Sequence, residues 1–266
     1  MFGLWGKNGA GKTTLMKLLS GMSSPTSGAV QIGGLDPYDN KETQGKVCFI
    51  QENHPLKPNW KVNDALSIAA DFYPNWDQAV AEKALSSFRL KNTMKISSLS
   101  KGMKTGIQIA IGLASRSPVS IFDEPTNGLD AEMRNVFYDL LLEEFEASPR
   151  IFLISTHWIE EIDTLLEEIT VLHEGKIVFS TKLEDLRGTL FTLRGTKEQL
   201  EACIREHALT VLEQEDKGSY SNAKVKTEKQ GIDFGSVAAE SLPLQDYLLL
   251  LTKREGGRSH EVFARN

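Results

Sequence analysis

The chain has 266 residues, 40% hydrophobic and 25% charged, which suits one large domain with an appendage and excludes a disordered chain, a collagen-like repeat or a disulfide-dense miniprotein. Thirty basic against 36 acidic side chains give a net charge of −6, so the overall balance does not suggest wrapping a nucleic acid or lying on an anionic membrane. No uninterrupted apolar run approaches the ~20 residues of a membrane span, and Met1 to Gly6 lacks the features of a secretory signal, so a cytoplasmic location is expected. Cys48 and Cys203, far apart and without metal-ligand spacing, read as buried thiols of a reducing compartment.

Taken in order, Phe2 to Trp5 predicts a strand, and Lys12 to Ser20 a helix with Leu15, Leu18 and Leu19 on one face, stopping at Gly21. Ala29 to Ile32 and Lys46 to Ile50 read as strands, with Gly33-Gly34 as a turn. From Asp64 to about Arg116 the apolar spacing is helical, as in Ala65, Ile68, Ala69 and Phe72. Val119 to Phe122 and Ile151 to Ile154 predict buried central strands around a helix from about Ala131 to Phe145. A further helix is expected after His157. Ile169 to Leu172 and Lys176 to Phe179 predict a hairpin through Glu174-Gly175. Past a break at Gly188, Thr189 to Leu193 (strand), a capping box Thr196-Lys-Glu-Gln199 opening a helix to about Ala208, Leu209 to Leu212 (strand) and Leu244 to Leu251 (helix) predict a small α+β appendage. Lys224, Lys226 and Lys229 read as a solvated face. Alternation of strands and crossover helices predicts an α/β fold with a mostly parallel sheet.

Gly6-Lys7-Asn8-Gly9-Ala10-Gly11-Lys12-Thr13 follows a predicted strand and opens a helix, the context in which this spacing forms a phosphate loop. Backbone N–H groups of such a loop converge on phosphate oxygens. Lys12 adds a point charge for the β and γ phosphates, the helix aims its positive end at them, and Thr13 would ligate Mg²⁺. Thr14 continues the loop into the helix. The apolar run Val119 to Phe122 ends in Asp123-Glu124, placing Asp123 for Mg²⁺ and Glu124 within reach of an attacking water.

Between these motifs stands Leu99-Ser100-Lys101-Gly102-Met103, and Glu124 runs on into Pro125-Thr126-Asn127-Gly128-Leu129-Asp130. With Gln51 after one strand and Ser155-Thr156-His157 after another, five motifs in this order resemble the ATP-binding cassette (ABC) ATPases over residues 1 to about 186. The resemblance implies a P-loop NTPase domain at 1–186, with a helical subdomain at about 64–116 between Gln51 and the signature, and an accessory region at 187–266. It implies Glu124 as base, Lys12 and His157 on the γ-phosphate, and Gln51 on the metal and water. Ser100, Lys101, Gly102 and Asp130 would meet the ATP held by a second subunit, a copy or a paralogue, in a head-to-tail sandwich.

Lys101 and Met103 depart from the common L-S-G-G-Q, as in ABC exporters whose ATPase is a separate polypeptide. The whole resembles bacterial exporters of antimicrobial peptides or of the cell-envelope-stress group, attached through a separate permease to the inner face of the membrane. The permease would dock near Pro55 to Trp60 and Phe72 to Trp76. An ATPase acting on a soluble partner and an importer ATPase are the alternatives. Gly6 stands so close to Met1 that the family's N-terminal antiparallel strands and adenine-stacking aromatic are expected to be missing from the chain as given. Phe2 and Trp5 read instead as core residues of the first strand.

Overall fold

A computed structural model describes residues 1–52, 56–218 and 220–255; Pro55 lies outside them. The chain divides into two compact units, Met1–His157 and Trp158–Asn266.

In the first unit, β1 (Phe2–Trp5), β2 (Val47–Ile50), β3 (Val119–Asp123) and β4 (Ile151–Thr156) pair in parallel, in the order β2-β3-β4-β1. Every crossover carries helix: α1 (Lys12–Leu19) after β1; α2 (Val62–Phe72), α3 (Gln78–Ser87) and α4 (Lys101–Ala114) between β2 and β3; and α5 (Ala131–Ala147) between β3 and β4. The carboxyl ends of four neighbouring parallel strands therefore lie along one edge of the sheet, the usual ligand edge of this architecture. The loops leaving that edge begin at Gly6, Gln51, Glu124 and His157.

The helical segment is not uniform. α2 buries Val62, Ala65, Leu66 and Ala69 and exposes Ile68 and Phe72, whereas α4 is buried continuously from Thr105 to Ala114, as expected of a helix apolar on all sides. A Cβ placed on Gly112 would stand 2.6 Å from the Phe122 ring and 2.8 Å from Ile50. Gly112→Ala would gain about 1 kcal/mol of helix propensity against an overpacking cost of about 1–3 kcal/mol. The variant is therefore expected to be less stable by up to about 2 kcal/mol, read as a lower urea midpoint at unchanged slope. The α4 end is clipped to α5 and β4 by Glu144, which accepts from Arg116 Nε at 2.9 Å and Arg150 Nη1 at 3.0 Å, while Arg150 Nη2 donates to the Leu113 carbonyl at 2.8 Å.

In the second unit, β5 (Glu168–His173) and β6 (Lys176–Lys182) form the expected hairpin. Its two turn residues, Glu174 and Gly175, have φ of 47° and 76°, the left-handed pair that matches strand twist. A four-stranded antiparallel sheet has the order β10 (Ala238–Ser241), β7 (Leu190–Gly195), β9 (Ser221–Lys226), β8 (Thr210–Asp216). It packs with α6 (Lys197–Glu206) around Leu193, Leu200, Cys203, Val225 and Phe234, and α7 (Leu244–Glu255) follows. The Thr196–Gln199 capping box forms as expected, and both cysteines are buried free thiols.

Four expectations need correction. Ala29 to Ile32 is not a strand: pairing is limited to one bridge, Ile32 with Leu35, because the Gly33-Gly34 turn reverses the chain at once. No regular helix follows His157, only a 3₁₀ turn at Ile159–Glu161. A helix there would stack Glu160 on Asp163 and Asp163 on Glu167, like charges at (i, i+3) and (i, i+4) that oppose it. Trp5 is a core residue at 1% exposure, but Phe2 is only half-buried. β9 and β10 were not expected, and Lys224 is half-buried and paired with Glu213 at 2.9 Å, which lowers the Glu213 carboxyl and raises the Lys224 ammonium.

Candidate active site

The loop from Gly6 to Gly11 leaves β1 and enters α1 through Gly9 (φ 84°) and Gly11 (φ 105°), a left-handed path that side chains resist. The first turn of α1 carries no acidic residue, so the positive end of the helix is not neutralised locally. Lys7, Asn8 and Gly9 are exposed, Gly6 and Ala10 buried, and Ala10 N–H donates to the Lys7 carbonyl at 3.0 Å. Thr13 and Thr14 open the helix.

Lys12 is 6% exposed. Its ammonium donates to the Gly6 carbonyl at 2.6 Å and stands 2.9 Å from Glu124 Oε1. That ion pair is short but poorly directed, since Glu124 Oε1 lacks a well-aligned hydrogen bond. The other carboxylate oxygen of Glu124 lies 2.8 Å from His157 Nδ1. Beside this triplet, Thr13 Oγ1 donates to Asp123 Oδ2 at 2.6 Å and Ser155 Oγ donates to Asp123 Oδ1 at 2.8 Å. The indole of buried Trp5 donates to the His157 carbonyl at 3.3 Å, so a core residue of β1 also steadies the histidine's main chain.

Five expected residues, Lys12, Thr13, Asp123, Glu124 and His157, thus form one connected cluster at the ends of β1, β3 and β4. Gln51 borders a small cleft with Asp123, Glu124 and Asn127, while its amide approaches Met22 Sδ at 3.4 Å. A threonine hydroxyl touching a carboxylate is a hard oxygen donor pair of the kind Mg²⁺ takes with substrate phosphates, so Thr13 and Asp123 fit that ion.

Ser100, Lys101, Gly102 and Asp130 gather at a second place. Ser100 caps α4 by accepting from Met103 N–H at 3.2 Å, and Asp130 caps α5 by accepting from Met133 N–H at 2.9 Å. Gly102 is needed there, since a Cβ would stand 2.9 Å from the Gly128 carbonyl oxygen. The Lys101 stem crosses Gly128 and its ammonium reaches Glu52 at 3.3 Å.

Sequence reasoning assigned no role to Ser155 or Glu52. Ser155 had a readable signal, a small polar residue ending an apolar strand two positions before His157. The Glu52 contact depends on the fold bringing the α4 start beside the β2 loop, and nothing local announces it.

A phosphate loop, an acidic pair and a histidine at the carboxyl edge of a parallel sheet define a P-loop nucleotide hydrolase. The ABC transporter family model matches residues 1–127. The chain is 30% identical over 238 residues to the uncharacterized ABC transporter ATP-binding protein YcbN of Bacillus subtilis, covering 86% of this chain and 74% of that one. It is 24% identical to the ABC transporter ATP-binding protein YtrB of the same organism, over 80% of this chain and 74% of that one. The Nod factor export ATP-binding protein I of Burkholderia lata is 31% identical over 66% of this chain and 59% of its own length. Among solved structures, an ATP-binding subunit of an ABC transporter superposes with a TM-score of 0.63 at 29% identity, covering 70% of this chain and 80% of that one. The chain belongs to the ABC transporter ATP-binding proteins and is an ABC ATPase.

Proposed function

We propose that this chain hydrolyses ATP in a head-to-tail pair of cassettes and so powers a separate membrane permease that exports its cargo. The observation that carries the reading is the buried Lys12–Glu124 pair joined to half-buried His157, beside Thr13 and Asp123. Glu124 takes the proton of the attacking water, His157 and Lys12 hold the γ-phosphate, and Gln51 reaches metal and water. Gly6, Asn8, Gly9, Ala10, Gly11 and Thr14 supply the phosphate cradle. Thr13 and Asp123, with Gln51, hold Mg²⁺, which when bound offsets charge on the β and γ phosphates. Protein groups here perform little covalent work; alignment and charge compensation dominate.

Ser100, Lys101, Gly102 and Asp130 form the surface that meets ATP held by the second subunit, supported by their gathering at the start of α4. Export is supported by the likeness to a protein named for Nod factor export and by Lys101 and Met103 in the signature, which also favour the antimicrobial-peptide and envelope-stress group. Among the described residues no helix is long and apolar enough to cross a membrane, which suits an ATPase on the cytoplasmic face of the membrane with a separate permease. Exposed Ile68 and Phe72 and half-buried Trp60 and Trp76 offer apolar surface on the helical segment for it. We take residues 1–186 as the ATPase domain and 187–266 as accessory.

Pairing is testable through concentration. Specific ATPase activity at saturating ATP should rise with protein concentration, and Glu124→Gln should accumulate as an ATP-dependent dimer in sedimentation. A concentration-independent rate from a monomer would sink the sandwich.

A further inference from the structure

We propose that Ser155 is a positioning residue for hydrolysis, its single hydroxyl fixing the carboxylate of Asp123 and the main chain of Glu124 together. The proposal deepens the reading above and rests on it, since it presumes Asp123 on the metal side and Glu124 as base.

Ser155 is fully buried near the end of β4, and the β3–β4 register sets it directly opposite Asp123. Its Oγ donates to Asp123 Oδ1 at 2.8 Å and accepts from the Glu124 N–H at 2.9 Å. A serine hydroxyl has one donor and two acceptor sites, so both bonds form with the right polarity. The other oxygen of Asp123 accepts from Thr13 at 2.6 Å. The carboxylate is thereby held at both oxygens and cannot rotate without breaking a short bond.

Glu124 needs support for a different reason. Its φ is 49°, a left-handed conformation that a non-glycine residue adopts only where its surroundings enforce it. Its N–H points into the interior, where an unpaired donor is costly, and the Ser155 oxygen takes that bond. From this turn the Glu124 carboxylate reaches Lys12 and His157. An alanine would leave the β4 ladder intact, because the ladder is main chain, yet remove one anchor from each acidic residue at once. Misplacement of a reacting group by about 1 Å can cost 10²-fold in rate.

Three variants test this. Ser155→Ala should lower kcat about 10- to 100-fold with KM for ATP changed less than about threefold, the range seen when groups supporting a metal site are removed. The Mg²⁺ concentration for half-maximal binding of a non-hydrolysable ATP analogue should rise severalfold, a readout independent of turnover. Ser155→Cys should resemble alanine because a thiol donates weakly, and Ser155→Thr, which keeps the hydroxyl, should stay near native. Melting temperatures are compared for all three. Native kcat and Mg²⁺ dependence in Ser155→Ala, or a threonine variant as impaired as alanine, overturns the assignment. If Ser155→Ala melts below the assay temperature, threonine against cysteine decides: an active threonine and an impaired cysteine support it, equal activity overturns it. Failure of the underlying reading looks different, as an inactive native chain or a fully active Glu124→Gln.

Discussion

Glu124→Gln should bind ATP much as the native chain does while turning it over about 10²- to 10⁴-fold more slowly, the range for removing a positioned general base. The substitution keeps the shape of the side chain, which is 7% exposed and could not change volume without disturbing Lys12 and His157. It removes the carboxylate that is proposed to take the proton from water. Binding should survive for a second reason: Lys12 is held by Glu124 at 2.9 Å in the absence of nucleotide, so an incoming phosphate competes with that carboxylate for the ammonium. Neutralising Glu124 removes the competitor, and ATP affinity should be equal to or slightly above native. Single-turnover hydrolysis and equilibrium nucleotide titration on the same preparation separate the two effects. Near-native single-turnover rates would remove Glu124 from the role of base.

How much of this was legible beforehand depended on whether the signal was local. The loop from Gly6 to Thr13 and the acidic pair after Val119 to Phe122 carry their meaning within about ten residues, and the cluster they predict forms. The β9 strand was also written locally, with Ser221, Ala223 and Val225 buried in alternation with Asn222, Lys224 and Lys226, but its three short buried side chains are weak markers of a period of two. The absent helix after His157 was an error of another kind. Ile159, Ile162 and Leu166 are buried at spacing that suits a helix, but the clustered acids between them oppose one. Ser155 and Glu52 act across the sheet and across loops, through register and proximity that no window of sequence contains.

Lys12→Ala should weaken ATP binding about 10- to 100-fold, since hydrogen bonds to charged groups contribute roughly 1.5–3 kcal/mol each. The apo protein should change as well. With Lys12 gone, Glu124 remains buried with His157 as its remaining neighbour, and removing one member of a buried ion pair costs up to about 3–5 kcal/mol. His157 is the more exposed partner, 39% against 8% for the Glu124 side chain, and holds one carboxylate oxygen; the Oε1 atom facing Lys12 would have nothing opposite it. A loss of about 2 kcal/mol is expected, with Glu124→Gln in the Lys12→Ala background recovering much of it, because the amide does not need a counter-charge. A double-mutant cycle in denaturant should therefore show strong coupling between positions 12 and 124. Phosphate affinity should not recover in the double variant, since the missing ammonium is what the phosphate requires. Equal ATP affinity in Lys12→Ala and the native chain would count against the phosphate loop, whereas additive stabilities would show that the 2.9 Å contact contributes nothing in solution.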